Sequence, residues 1–302
     1  MQNRRKTLSL TVSIVLAAAL SACGGSDDVT SATLEVTPAL GAAYGASVTV
    51  FNGTTGTTLG SGVTGATSGT ASIPLIGSTA GSIVVKVTLT PGSSYFDEKL
   101  NTTVTITSAN TVSLLTALPA LPTSTVKSVG VTPLTNMAAK LAGLDPSTSN
   151  VIVTPAMATD GAARTVLALG LPTSFNITAA PQAAKSLTTL PTDVYGLLLA
   201  EMAKKATTNA LDQAKDLVNA ASTGSVTSTT GLTNATKALT DAAAVVNTAK
   251  GAGSIATVAP KISPTQNDVS AAVTAQNTVI AANTPPTSAT GATGGTGASV
   301  SR

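Results

Sequence analysis

From residue 34 to about 115 the chain alternates apolar and polar positions in short runs separated by turn residues. Ser47-Val48-Thr49-Val50-Phe51, Ala71-Ser72-Ile73-Pro74-Leu75, Ile83-Val84-Val85-Lys86-Val87-Thr88-Leu89 and Val104-Thr105-Ile106 are rich in β-branched residues and read as strands. Asn-Gly, Ser-Gly and Pro-Gly pairs between them supply the turns. Several short strands at this spacing predict an antiparallel β-sandwich over 33–118, with Val48, Val50, Ile73, Val85, Val87 and Leu89 in its core.

After Leu121-Pro122 the pattern changes, and 119–130 reads as a linker. The run Val131-Thr132-Pro133-Leu134-Thr135-Asn136-Met137-Ala138-Ala139-Lys140-Leu141 predicts a helix with Thr132 as N-cap and Pro133 at its first position. Val194, Leu197, Leu198 and Met202 share one face at helical spacing; so do Leu211, Ala214, Leu217, Val218 and Ala221, and again Val269, Ala272, Val273 and Ile280. Residues 232–250 are Ala-rich and also read as helix. The region 131–283 therefore predicts a bundle of short amphipathic helices with a small-residue core. Residues 284–302, with Pro285, Pro286, repeated glycines and no apolar period, predict a disordered tail. The expected fold class is α+β and multidomain, a sandwich followed by an all-α region.

Composition narrows the chemistry. The 302 residues contain no His, no Trp and one Cys, which closes off His-based triads, His-ligated metals, zinc ribbons and internal disulfides. No catalytic, cofactor-binding or metal-ligating set is predicted, and the chain is expected not to be an enzyme. The formal charge of +3 comes from Arg4, Arg5 and Lys6; without residues 1–22 the basic and acidic side chains number 13 each. A neutral body that is 2% aromatic lacks both the positive field and the stacking surfaces of a nucleic-acid binder, so that partner is excluded.

Those first residues have their own logic. A positive stretch at 1–6 is followed by a largely apolar run of thirteen residues, 8–20, and then by the small residues Ser21 and Ala22. This is the three-part layout of a secretory signal, and it is shorter than the roughly 20 apolar residues of a spanning helix. The unique cysteine ends Leu20-Ser21-Ala22-Cys23, which resembles the lipobox of bacterial lipoproteins. In that family the thiol receives a diacylglyceryl group, the peptide is cut just before the cysteine, and the new amine is acylated. The resemblance implies 1–22 as signal peptide, Cys23 as lipid attachment site, and a membrane partner reached through the lipid. Each buried methylene adds about 0.8 kcal/mol, so several acyl chains hold where one holds marginally. Gly24-Gly25-Ser26-Asp27-Asp28 begins a flexible tether over 23–32. Gly24, rather than Asp, follows the cysteine, and in that family this implies the outer membrane, with the periplasmic or surface face left open.

The layout Gly45-Ala46-Ser47-Val48-Thr49-Val50, Thr55-Gly56-Thr57-Thr58-Leu59 and Gly69-Thr70-Ala71-Ser72-Ile73 is similar to the carboxypeptidase regulatory-like (transthyretin-like) β-sandwich. Tyr95-Phe96-Asp97-Glu98, and Val131-Thr132-Pro133-Leu134-Thr135 in the helical region, resemble words found in lipoproteins that carry such a domain. The resemblance implies a binding or structural module, whose ligand would be an envelope protein or glycan.

Three local patterns complete the reading. Gly60-Ser61-Gly62-Val63-Thr64-Gly65 matches GxGxxG but lies among strands, has no following helix and reads as a turn. Ser124-Thr125-Val126-Lys127 matches the SxxK of penicillin-recognising serine enzymes, yet the Ser-Asp-Asn and Lys-Thr-Gly companions are missing. It leaves a serine hydrolase only as a rival to the binding module, beside a surface adhesin or assembly component. Asp97 and Glu98, flanked by Tyr95 and Phe96, read as a solvated loop beside two rings that cap the sandwich core; the same four residues are the candidate ligand contact. Two adjacent carboxylates are too few for a calcium loop.

Overall fold

The computed structural model describes residues 32–122, 127–206, 208–222, 225–226, 230–251 and 254–255. The expected signal segment 1–22, Cys23, Ser124, the 269–280 pattern and the expected 284–302 tail lie outside the described residues. The described chain is mixed, with ten strands preceding the first α-helix.

One antiparallel sheet has the order β4 (Thr58–Val63), β3 (Ser47–Asn52), β6 (Ile83–Leu89), β9 (Val112–Leu118). Val50 stands opposite Val85, and Val85 opposite Thr116, so the expected core residues line one face. Val48, Val50, Ile73, Val85, Val87 and Leu89 are all fully buried. The other face of β6 and β9 is buried too: Val84 and Leu115 form a second cluster with Ala139, Ala142 and Val153. Burial on both faces explains the continuous apolar run Ile83-Val84-Val85.

A second sheet places β1 (Ala32–Pro38) between β5 (Ala71–Leu75), antiparallel to it, and β10 (Lys127–Val131), parallel to it. The end of the expected 119–130 linker is therefore a strand. Val129 and Val131 are buried in the strand core, and a run of five residues leading straight into a helix is too short to announce itself by period. A third small sheet has the order β2 (Ala43–Tyr44), β7 (Ser94–Asp97), β8 (Thr102–Thr105).

The GxGxxG stretch is also not a turn, since Gly60 to Val63 belong to β4. A Cβ on Gly60 would lie 2.4 Å from the Pro74 carbonyl oxygen, and one on Gly62 would lie 2.7 Å from Ile73 Cδ1. These glycines let β4 pass close over β5, where the Ile76 N–H donates to the Leu59 carbonyl at 2.8 Å.

The helices are α1 (Pro133–Leu141), α2 (Pro155–Ala168), α3 (Val194–Lys204), α4 (Ala210–Ala220) and α5 (Thr230–Lys250), with a two-strand pair β11 (Ala221–Ser222) and β12 (Ser225–Val226) after α4. Thr132, Thr154, Asp193 and Asn209 cap the first four, each accepting a first-turn N–H. Thr132 and Pro133 occupy the positions predicted for them, and Thr135 completes a capping box by accepting the Thr132 N–H. Leu197, Leu198 and Met202 are buried with Leu217, Leu239 and Val246 in the core of the helical region. The two regions pack against each other: Ala203, Ala210, Leu211 and Ala214 of the α3–α4 corner belong to the strand core.

A buried hydroxyl network also ties the regions. Thr116 Oγ1 on β9 lies 2.7 Å from both the Gly130 carbonyl and the Thr135 hydroxyl. Thr132 Oγ1 lies 2.9 Å from the Tyr195 hydroxyl, which donates to the Ile177 carbonyl at 2.8 Å. The Leu115 N–H donates to Asn136 Oδ1 at 2.9 Å. Every group here is uncharged at neutral pH, and burial pushes the Tyr195 phenol still further up.

Candidate functional site

Tyr95, Phe96 and Asp97 lie on β7, and Glu98 follows it directly. Period-2 side-chain alternation sends neighbouring residues to opposite faces of an exposed strand, but here helices cover what the sheet does not. Asp97 is 0% exposed and Glu98 3%, with both rings buried as well. The expected solvated loop is a closed joint. Its buried partner is the start of α4, a contact between residues 113 positions apart that no local pattern discloses.

Asp97 is the hub of this joint. Its Oδ2 accepts from the Tyr95 hydroxyl at 3.0 Å and from the Ala210 N–H at 3.1 Å, and its Oδ1 accepts from the Leu100 N–H at 2.9 Å. Ala210 is the first residue of α4, so a carboxylate from the strands meets the positive end of a helix. Burial, with the Asp97 carboxylate next in importance, holds the Tyr95 phenol far above its ordinary value. Phe96 faces a different set, packing on Ala184 and Ala200 with Leu187 beside them.

Glu98 is less well provided. Its Oε2 is buried without a hydrogen-bond partner. Burial first, and then the neighbouring Asp97 charge, pushes its carboxyl up to about 8; its own backbone N–H and the Lys204 ammonium pull the other way. Lys204 is itself ion-paired to Glu201 on α3. Gly41 makes room for the joint: at φ +73° a Cβ there would lie 1.8 Å from the Phe96 carbonyl oxygen and 3.3 Å from Glu98 Oε1.

The structure thus brings Tyr95, Phe96, Asp97 and Glu98 together, in an internal joint. Lys127 lies on β10, half-buried, while its expected partner Ser124 is outside the described residues. Among the described residues no group of three Cys, Asp or Glu side chains could hold a metal ion. No described helix is long and apolar enough to cross a membrane.

The sequence reading missed a surface groove of about 460 Å³ between the β3–β4 turn and the loop after β5. Thr54, Thr55, Thr57 and Ser78 line it beside Leu59 and the exposed Ile76. Asn52 holds its two walls together, accepting from the Thr54 and Thr55 N–H groups and donating to the Ser78 and Ala80 carbonyls. The Asn52-Gly53 turn signal was the one sequence trace of it.

No known protein family, no curated protein and no solved structure matches this chain.

Proposed function

We propose that the chain is a bacterial envelope lipoprotein, held in the outer membrane by acylated Cys23, whose body works as a non-catalytic binding or structural module. The observation that carries this reading is the sequence Leu20-Ser21-Ala22-Cys23 at the end of a basic-then-apolar leader, with the only cysteine of the chain in the lipid-accepting place. The first strand begins at Ala32, nine residues beyond Cys23, which suits a body on a short polar tether.

Within this reading the strand region is a sandwich of the carboxypeptidase regulatory-like kind, and the helical region is a bundle seated on it. The carboxylates of 95–98 hold those parts together rather than contacting a ligand, because Asp97 spends both oxygens on internal donors. The ligand class is an envelope protein or glycan.

Metabolic labelling with an alkyne fatty acid tests the anchor. Wild-type protein should carry label and Cys23→Ser should carry none. Equal label in the variant overturns the proposal. Protease treatment of intact cells then assigns the face: degradation marks a surface-exposed body, and protection a periplasmic one.

A further inference from the structure

The Asp97–Glu98 joint has a property that goes beyond anchoring and does not depend on it. A buried, fully bonded carboxylate and a buried carboxyl with one orphan oxygen sit side by side where the strands meet the α3–α4 corner. We propose that this joint is a proton-controlled latch, closed while Glu98 keeps its proton and loosened, with release of α4's N-terminus from Asp97, when that proton leaves.

The charges around Glu98 favour this behaviour. On its own segment stand Asp97, with the Tyr95 phenol bonded to it, and the exposed Lys99. From α3 come Glu201 and Lys204, which pair with each other, and the first turn of α4 adds Asp212. The facing stretch 39–43, which holds Gly41, has no ionisable residue. On the segment that packs against Phe96, Lys185 donates to the Thr67 carbonyl. An ionised Glu98 would therefore add a second carboxylate beside Asp97 with one already-committed ammonium as counter-charge. Glu98 as a whole is 3% exposed, and water is excluded from its Oε2. Opening the joint hydrates the carboxylate and lets water screen it from Asp97, so ionisation and opening favour each other.

The direction follows from linkage. In the open joint Glu98 ionises near its ordinary 4.5, and in the closed joint near 8. The closed state binds the extra proton between these values, so closure is strongest at low pH, weakens as pH rises through that window and levels off above it. Within the window the opening constant should grow about tenfold per pH unit.

Hydrogen exchange on the full chain, read at the Ala210 amide and its neighbours between pH 4.5 and 9.5 and corrected for intrinsic exchange, tests this. The expected wild-type opening constant climbs through the window and flattens near its upper end. In Glu98→Gln it should stay flat throughout, and in Lys204→Gln the flattening should move to higher pH because a cation favouring the carboxylate is gone. Parallel wild-type and Glu98→Gln profiles would overturn the latch. If Glu98→Gln does not fold, carbon NMR titration of the wild-type Glu98 carboxyl decides: titration with the ordinary carboxylates refutes the proposal, and titration well above them supports it.

Discussion

Two polar joints between the strands and the helices are built from opposite chemistry. One is the hydroxyl network of Thr116, Thr132, Thr135 and Tyr195, where neutral groups meet donors and acceptors over short distances. The other is the carboxylate joint of Asp97 and Glu98 at the start of α4, where one acid is fully bonded and its neighbour keeps an orphan oxygen. Both bury polar atoms between the same two regions. The difference lies in what the solvent can change: a buried hydroxyl pair is indifferent to pH between 6 and 9, while a buried carboxyl with a displaced pKa is not. One joint fixes the α1 corner, and the other leaves the α3–α4 corner adjustable.

Substitutions can break the contrast or sharpen it. Asp97→Ala leaves the Tyr95 hydroxyl and two backbone N–H groups without their acceptor, and should cost about 4 kcal/mol in urea denaturation followed by circular dichroism. Gly41→Ala forces a Cβ onto the Phe96 carbonyl at a positive φ and should cost about 3 kcal/mol by the same measurement. In the hydroxyl joint, Tyr195→Phe should cost about 1.5 kcal/mol, equally at pH 6 and pH 9, since the phenol is neutral at both. A pH-dependent cost there would erase the distinction between the joints. Thr154→Ala, which removes only the N-cap of α2, should cost about 1 kcal/mol and leave exchange at Ala210 unchanged.

The sequence disclosed what depends on neighbours along the chain. The alternation in Ser47-Val48-Thr49-Val50-Phe51 and the Thr132-Pro133 cap each rest on a few adjacent residues, and both appear where they were expected. It concealed what depends on distant partners. β10 looks like linker until β1 is laid beside it, because five residues cannot show a period and because its parallel partner lies about 90 positions earlier. Helix α2 went unread, since Pro155-Ala156-Met157-Ala158-Thr159-Asp160 offers small residues and a weak apolar stripe. The acidic pair was found but misplaced. Two adjacent carboxylates ordinarily face water, and Asp97 instead meets a helix N-terminus that arrives from 113 residues further on. The candidate anchor at Cys23 is the opposite case, legible from four residues and outside the described structure.

The proposed anchor would give the rest of the molecule its place in the cell, and the intact mass of the protein extracted from envelopes addresses it directly. The predicted species starts at Cys23 and is heavier than the bare polypeptide by one diacylglyceryl group and one further acyl chain. A polypeptide of unmodified mass, whether it starts at Met1 or at Cys23, would contradict the account.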